Sequence, residues 1–326
     1  MKNLLNIRRI AAMAIAIFLG FVGVRFYYFV KFYESMGQGM PVSRPPSVEG
    51  FLPVSALMSF RNFLQTGLWD NIHPAGLTIF IAVLLTAFLF RRFFCSFICP
   101  IGTMSDWLYI LGQKIFKQSF QPPKWLNYIL GSLKYLLLAF FIFITSSMSI
   151  EDVSAFIQGD YNKIADVKML YFFLGISGTG LAIILILAVA SVFIPYFWCR
   201  YLCPYGALLA IVGKFSPTMV KRNTETCIDC KKCDQSCPMV LDISTKKTVT
   251  SLDCISCMAC VDSCPKADAL SMSFGGKNID SPTFAGLALG IFFAIIVIAM
   301  VSGYWQTSVT HQDWQRIIPY AKMLNH

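Results

Sequence analysis

Charged residues are scarce in this chain of 326 residues. They make up 13% of it, whereas 56% of the residues are hydrophobic, and the mean hydropathy is +0.62. Ordinary soluble domains carry about 25% charged and about 45–50% apolar residues. The shortage of charge argues against an ordinary soluble enzyme, and the apolar excess excludes a disordered or collagen-like chain. The apolar residues lie in long blocks, which indicates an integral membrane protein.

Histidine is rarer still, with three residues: His73, His311 and His326. None pairs with another inside an apolar block, so this chain alone supplies no pair of axial ligands for a membrane haem. No histidine follows a C-x2-C pair, as covalent haem attachment requires. Helix-turn-helix and zinc-finger spacings are absent, and most of the positive charge lies in loops between apolar blocks. We therefore expect no haem from this chain and no nucleic acid partner.

Five apolar stretches are long enough to cross a lipid bilayer, which takes about 20 helical residues. They predict spans over roughly 10–30, 74–94, 126–148, 171–195 and 282–303. The predicted fold class is therefore an all-α polytopic membrane protein with about five transmembrane helices. No small-residue cleavage site follows the first stretch, so we interpret it as a retained signal anchor.

Lysine and arginine are distributed unevenly among the loops. Of the 27, 18 fall at the N-terminus, in 91–125 and in 196–281, and 7 fall in 31–73, 149–170 and 304–326. Cytoplasmic loops carry the excess of these residues. The count predicts an N-terminus inside, a C-terminus outside and a multi-pass protein of a bacterial cytoplasmic membrane.

Eight of the 12 cysteines form two runs of one pattern, C-x2-C-x2-C-x3-C-P, one beginning at Cys227 and the other at Cys254. Bacterial two-cluster ferredoxins use this run: three thiolates hold one [4Fe–4S] cluster, and the fourth holds the other cluster. The expected ligands of cluster 1 are Cys227, Cys230, Cys233 and Cys264. The expected ligands of cluster 2 are Cys254, Cys257, Cys260 and Cys237.

Zinc and disulfides fit these two runs less well. Zinc sites commonly use two C-x2-C pairs separated by a longer loop, and disulfides are disfavoured in a segment that the charge count places in the cytoplasm. We predict a small α+β two-cluster ferredoxin-like domain over 220–280. It follows a membrane domain, 1–219, and precedes a fifth span with an outer tail, 281–326.

The other four cysteines form a second repeat, C-x3-C-P-x-G, at the ends of predicted spans two and four. One motif occupies 95–100 with Cys95 and Cys99, and the other occupies 199–204 with Cys199 and Cys203. Both spans run in the same direction, so both motifs emerge at one membrane surface. Cysteines four apart on a helical turn share a face, so we expect the two turns to present four thiolates, which is the ligand count of a third [4Fe–4S] cluster. Packing cysteines, a redox-active thiol set and a transient metal site are the alternatives.

Paired C-x3-C-P motifs after membrane spans, followed by two ferredoxin runs, resemble the NapH/NosR/CcoG-type membrane polyferredoxins. Residues 44–53 and 71–74 are similar to the same group, and the resemblance covers roughly 40–270. It implies an electron-transfer subunit. NapH-type members are associated with quinol oxidation for a periplasmic reductase, and CcoG-type members with copper reduction during oxidase assembly. The layout is nearest the NapH type, with an added fifth span and tail and without the large flavin-binding region of NosR-type members.

We expect the chain to pass electrons between the quinone pool and partner cofactors through its clusters. Its partners would be other subunits of a membrane redox complex that carry flavin, iron–sulfur or cytochrome groups. A copper reductase or assembly factor and a redox-sensing membrane ferredoxin are the alternative functions. No residue is assigned a catalytic role.

Two further residues carry hypotheses. His73, at the outer mouth of the second predicted span, is a candidate quinone contact, because histidine can accept a proton and donate a hydrogen bond. Its alternative role is that of a helix-start residue before Pro74. Lys134, inside the third predicted span, either offsets the charge of a thiolate-ligated cluster or extends towards water.

Overall fold

The computed structural model of the chain describes residues 3–117, 120–266 and 268–323, without the side chains of 3–6. His326, named above, lies outside these residues. The chain folds into two compact units. Unit 1 comprises Met1–Ala16, Val83–Ala139 and Ala182–Phe292, and unit 2 comprises Ile17–Ala82, Phe140–Leu181 and Phe293–His326.

Helices make up most of both units. The α-helices of the described residues are α1 (Asn3–Glu34), α2 (Pro53–Thr66), α3 (Pro74–Phe90), α4 (Phe93–Phe97), α5 (Pro100–Phe116), α6 (Lys124–Ser147), α7 (Ile150–Gln158), α8 (Asp160–Lys163), α9 (Ala165–Leu174), α10 (Gly178–Phe193), α11 (Pro204–Gly213), α12 (Lys232–Gln235), α13 (Ala259–Asp262), α14 (Ser281–Val301) and α15 (His311–Ile317). Short 3-10 helices occupy Pro46–Phe51 and Ile318–Tyr320, and a π-helical turn occupies Trp198–Leu202.

Three of the described helices, α1, α6 and α14, are long and apolar enough to cross a membrane, and α9 with α10 would make a fourth. Their surfaces carry large apolar side chains that none of the described residues covers. On α6, for example, Tyr128, Leu136 and Phe143 are all more than half exposed. Contiguous apolar surface of this kind is unfavourable in water and favourable in lipid, so the chain is a membrane protein.

The second predicted span, 74–94, divides into two helices. Helix α3 ends at Phe90, and Arg91 after it adopts a positive φ of 59°. The Arg91 guanidinium donates to the carbonyl oxygens of Val249, Thr250 and Ser251. A charged side chain bonded in this way cannot continue an apolar helix, so the chain turns at Arg91 and starts again as α4.

The fourth predicted span, 171–195, is also broken. Helix α9 ends before Gly175, α10 begins at Gly178, and the two are bent by 84°. The Ser177 hydroxyl accepts a hydrogen bond from the Gly180 amide at 3.1 Å and so caps the new helix start. Glycine and serine favour helix ends over helix interiors, which explains a break that apolar composition alone does not indicate.

Unit 1 contains one small antiparallel sheet. Its strands are β1 (Thr218–Arg222), β2 (Thr248–Val249), β3 (Leu270–Phe274) and β4 (Lys277–Ile279), in the order β2-β1-β3-β4. In the register, Val220 lies opposite both Val249 and Met272, and all three are buried. With the short helices α12 and α13, this sheet gives residues 218–279 the α+β character that the cysteine runs predicted.

The core of unit 2 joins its first and last segments. Phe26, Phe29 and Val30 of α1 are buried in one cluster with Trp314 and Ile317 of α15. The rings of Phe29 and Trp314 meet edge to face at 5.7 Å. The predicted outer tail is therefore, as far as it is described, a packed part of this unit.

Close packing within unit 1 gives a stability prediction. A Cβ at Gly112 of α5 would lie 2.1 Å from the Val192 carbonyl oxygen of α10, whereas a Cβ at Gly131 of α6 would meet nothing within 4 Å. Gly112→Ala should destabilise the protein by about 1–3 kcal/mol, as overpacking does. Gly131→Ala should be neutral or stabilising, since alanine is the better helix former. Thermal unfolding in detergent measures both, and equal midpoints would contradict the close approach of α5 and α10.

Candidate functional site

The two C-x3-C-P motifs fold alike. In each, the first cysteine lies in a short helical turn, Cys95 in α4 and Cys199 in the π turn, and the second is the N-cap of the next helix, Cys99 of α5 and Cys203 of α11. A proline at the first helical position then starts that helix with a suitable φ. The amide of Gly206 donates to the Cys203 sulfur at 3.2 Å. Helix N-termini favour negative charge, so both second cysteines occupy positions that suit a thiolate.

All four of these cysteines lie together, and we call them the CxxxCP site. Cys95, Cys199 and Cys203 each act electrostatically on the Cys99 thiol. Burial, followed by the neighbouring Cys203 and Cys95 thiols, raises the pKa of Cys199 to about 12. With this pKa the Cys199 thiol keeps its proton at neutral pH, and a metal or cluster that replaces the proton converts the thiol into a ligand. The donor set therefore fits a thiolate-ligated group.

The glycine of each motif makes room for this convergence. A Cβ at Gly102 would lie 1.9 Å from the carbonyl oxygen of Cys95, and a Cβ at Gly206 would lie 2.8 Å from a nitrogen of Arg92 and 3.5 Å from the Cys203 sulfur. Real Cβ atoms cannot approach backbone oxygen so closely. The glycine of the first motif is thus a packing requirement of the site, whereas a side chain at the second glycine would have to displace the end of Arg92.

The eight remaining cysteines line two cavities of unit 1. Cavity 1 is lined by Cys227, Cys230, Cys233 and Cys264. Cavity 2 is lined by Cys237, Cys254, Cys257 and Cys260. Each cavity thus takes three cysteines from one run and the fourth from the other, which is the exchange expected of a two-cluster ferredoxin.

The two runs have the same backbone. Lys231 and Met258 both adopt positive φ, of 55° and 61°, immediately before α12 and α13. Ser236 and Ser263 occupy equivalent positions, 27 residues apart, and their hydroxyls meet at 2.7 Å. The two halves of the domain are therefore related by an internal repeat that brings each run beside the other.

The thiols do not converge on a point in either cavity. Within the described ranges, no three His, Cys, Asp or Glu side chains are placed to hold a single metal ion. A zinc ion needs four ligands at about 2.0–2.3 Å from one centre, whereas the thiolates of a four-iron cluster each bind a different iron. The arrangement fits a cluster better than a single ion.

Two side chains fix the CxxxCP site to the second ferredoxin run. Arg91 donates to the three carbonyls named above, and the nearest, that of Val249, lies 2.6 Å away. The hydroxyl of Ser96, beside Cys95, donates to the Ile255 carbonyl, beside Cys254, at 2.8 Å. Cavity 2 and the CxxxCP site are therefore held as neighbours.

Sequence reasoning named Lys134 in this region but missed Arg92, Asp253 and the Arg8–Asp106 pair. Lys134 is buried and donates to Asp253, and Arg92 lies 3.4 Å from the same carboxylate. Lys134 is thus paired within the protein instead of extending towards water. Arg8 forms a buried ion pair with Asp106 at 2.9 Å, and Tyr196 donates to the same carboxylate. The sequence did carry a signal for these residues: a charged residue beside a cysteine motif or inside an apolar helix usually needs a partner of opposite charge.

His73 lies in a buried network of unit 2, formed by Arg44, Glu49, His73, Asn162 and Asp166, which we call the Arg44 network. Arg44 pairs with Glu49 at 2.6 Å and with Asp166 at 2.7 Å. The Nε2 atom of His73 lies 2.7 Å from the Asn162 carbonyl oxygen, and Nδ1 lies 3.5 Å from Glu49. Both ring nitrogens of His73 thus have partners inside the protein.

Protonation of His73 balances the charge of the Arg44 network, which otherwise holds two carboxylates and one arginine. Burial alone would lower the pKa of His73, but the adjacent Glu49 carboxylate outweighs it, and the pKa is raised. A raised folded pKa means that the fold favours the protonated imidazole. Its stabilising contribution is complete below the unfolded value of about 6.5 and is lost as the pH rises through the folded value.

This sign gives a pH prediction. The midpoint of thermal unfolding of the wild-type protein should fall as the pH rises above about 6.5, because folded His73 loses its proton only above this unfolded value. His73→Gln should be less stable at the lower pH and should flatten the profile. His311→Gln, which changes an exposed histidine, should leave the slope unchanged. An unaltered slope in His73→Gln would contradict the assignment.

Two family models match the chain. The 4Fe-4S binding domain matches residues 72–118 and again 176–223, and the 4Fe-4S dicluster domain matches 219–265. Each match to the first model contains one C-x3-C-P motif, and the dicluster match contains both ferredoxin runs. No solved structure matches the chain.

Curated relatives extend the likeness beyond these segments. The protein YccM of Escherichia coli (strain K12) is 37% identical over 313 residues, which are 94% of this chain and 88% of that protein. The ferredoxin-type protein NapH of Haemophilus influenzae is 28% identical over 171 residues, 51% of this chain and 55% of NapH. The regulatory protein NosR of Pseudomonas aeruginosa is 28% identical over 195 residues, 58% of this chain and 26% of NosR.

The duplicated 4Fe-4S binding domain, the dicluster domain and the nearly full-length likeness to YccM agree with the three sets of four cysteines in unit 1. The chain belongs to the NapH/NosR-type membrane polyferredoxins.

Proposed function

We propose that this chain is the iron–sulfur electron-transfer subunit of a membrane redox complex and passes electrons between the quinone pool and partner cofactors. The observation that carries the proposal is the exchange of cysteines between the two cavities, beside a CxxxCP site that adds four thiols. The iron–sulfur part is supported by the 4Fe-4S domain matches and by relatives named as ferredoxin-type proteins.

The proposed ligands follow the three sets. Cluster 1 takes Cys227, Cys230, Cys233 and Cys264; cluster 2 takes Cys254, Cys257, Cys260 and Cys237; a third cluster takes Cys95, Cys99, Cys199 and Cys203. When bound, such clusters supply one-electron redox chemistry. The chain contributes the thiolates, the apolar wall of cavity 2 and the Arg91 and Ser96 bonds that hold this cavity against the CxxxCP site.

In the membrane we propose five spans with the N-terminus and the ferredoxin-like domain in the cytoplasm. The apolar helices α1, α6 and α14, the bent pair α9–α10 and the shorter apolar helix α3 support this count. The distribution of Lys and Arg supports the orientation. All twelve cysteines then lie on the cytoplasmic side or at its membrane surface.

The surroundings of His73 favour a structural role over that of a quinone contact. A quinone oxygen that bonded its ring would have to displace the Asn162 carbonyl or open the Arg44 network. Its burial, with 2% of the residue exposed, also closes the ring to a ligand from the bilayer. We therefore assign His73 to the folded framework of unit 2.

Iron content tests the ligand assignment. Protein purified anaerobically should contain about 12 iron and 12 acid-labile sulfide per chain, since each of three clusters holds four. The double variant Cys95→Ser/Cys199→Ser should retain about 8 of each, because cavities 1 and 2 keep all their ligands. Wild-type protein with about 8 iron and four alkylatable thiols at the CxxxCP site would remove the third cluster and favour a thiol or copper function.

Quinol reduction tests the electron-transfer partner. A reduced quinol analogue added anaerobically to the intact complex should reduce at least one cluster, measured by electron paramagnetic resonance. Cys230→Ser and Cys257→Ser, each removing one ligand from a cavity, should abolish turnover of a stably assembled complex. Clusters that dithionite reduces and quinol does not would exclude quinol as the donor.

A further inference from the structure

Three buried cations, Arg92, Lys134 and Arg200, interact with one another electrostatically, and Arg92 also interacts with thiols of the CxxxCP site. Arg92 and Lys134 are each 1% exposed, and Arg200, between Cys199 and Cys203, is 7% exposed. Burying a charge away from water is costly unless an opposite charge lies nearby. Asp253 pairs with Arg92 and Lys134 and interacts with Arg200, and it keeps about a third of its side chain exposed. The carboxylate of Asp253 thus interacts with all three buried cations.

Two of these cations also have nitrogens without a partner. Among the described residues, the Nε atom of Arg92 and one terminal nitrogen of Arg200 are buried and make no hydrogen bond. Native proteins seldom leave such donors unpaired, because each costs about 1–3 kcal/mol. A terminal nitrogen of the Arg92 guanidinium donates a hydrogen bond to the carbonyl oxygen of Cys199 at 3.3 Å.

The Arg92 guanidinium faces the thiols. Cys95, Cys199 and Cys203 all act on it electrostatically, Cys95 more strongly than Asp253. Its terminal nitrogen occupies the space that a Cβ at position 206 would need, so the glycine of the second motif admits Arg92 to the site. Arg91, the preceding residue, bonds three backbone carbonyls instead. The two arginines therefore do different things: Arg91 holds the ferredoxin loop, and Arg92 lies beside the sulfurs.

We propose that Arg92, together with Lys134 and Arg200, is the counter-charge of an anionic [4Fe–4S] cluster held by Cys95, Cys99, Cys199 and Cys203, and that it raises the reduction potential of this cluster. The inference rests on the proposed third cluster. Four thiolates bring more negative charge than an iron–sulfur core cancels, and one added electron increases the excess. Nearby cations stabilise the reduced form more than the oxidised form, and they do so strongly where water does not screen them.

The positive charge around the CxxxCP site favours a [4Fe–4S] cluster over protonated thiols or a Cu(I) ion. Protonated thiols are neutral and give buried cations nothing to balance. A Cu(I) ion on two thiolates carries less negative charge than a four-thiolate cluster and suits a less cationic site. Three buried cations with one partly exposed carboxylate match the most anionic of the three occupants.

The test is a redox titration of the anaerobic full-length protein, followed by electron paramagnetic resonance. The component of the CxxxCP site is the one that Cys199→Ser abolishes. Arg92→Gln should lower the midpoint potential of this component by at least about 59 mV, which corresponds to a tenfold change in the equilibrium constant of a one-electron reduction. Arg92→Lys, which keeps the charge, should remain close to wild type, and Lys277→Gln, which removes an exposed charge of the same unit, should change nothing.

The outcomes separate the two proposals. Loss of about four irons in Arg92→Gln but not in Arg92→Lys would also support the inference, because the uncompensated anion could no longer be buried. An unchanged midpoint in Arg92→Gln with about 12 irons would overturn the counter-charge and leave the third cluster standing. Equal iron loss in both Arg92 variants would show a packing role and overturn the inference. About 8 irons in the wild-type protein would overturn the third cluster itself.

Discussion

In each C-x2-C-x2-C-x3-C run, the first three cysteines line one cavity and the fourth cysteine lines the other cavity. The short helices α12 and α13 contribute to this, because each carries the third cysteine of its run and ends before the fourth. Neither cavity is complete until both runs have folded, and the contact between Ser236 and Ser263 marks where they meet. We therefore expect cluster binding and folding of this domain to be coupled, as in other small domains whose ligands are dispersed in the unfolded chain.

In each unit, buried ion pairs also join segments that lie far apart in the sequence. In unit 2, Arg44 bonds Asp166 across 122 positions of sequence, and in unit 1, Lys134 bonds Asp253 across 119. A charge in a medium of low dielectric constant is strongly unfavourable without its partner. Arrangements that separate these pairs are therefore unfavourable even where apolar packing would allow them. The pairs thus fix how segments far apart in the chain are aligned.

The sequence predicted what depends on local spacing. The cysteine runs define the contents of both cavities, since three-residue intervals fix which sulfurs share a loop, and the C-x3-C-P-x-G repeat indicates four thiols together. Composition located the apolar helices but missed the turn at Arg91 and the break at Gly175, which depend on hydrogen bonds of single residues. The partners of Arg92 and Lys134 were unpredictable, because ion pairs across more than a hundred residues leave no pattern in one sequence.

The helices that lead into the CxxxCP site are short. Helix α3 has 17 residues and α10 has 16, which at 1.5 Å per residue amount to about 25 Å. The hydrocarbon core of a bilayer is about 30 Å thick. In the proposed five-span arrangement this hydrophobic mismatch is met by local thinning of the lipid or by drawing the helix ends below the headgroups. The depth of the four thiols in the membrane, and with it their distance from water, then varies with the thickness of the lipid in which the protein resides.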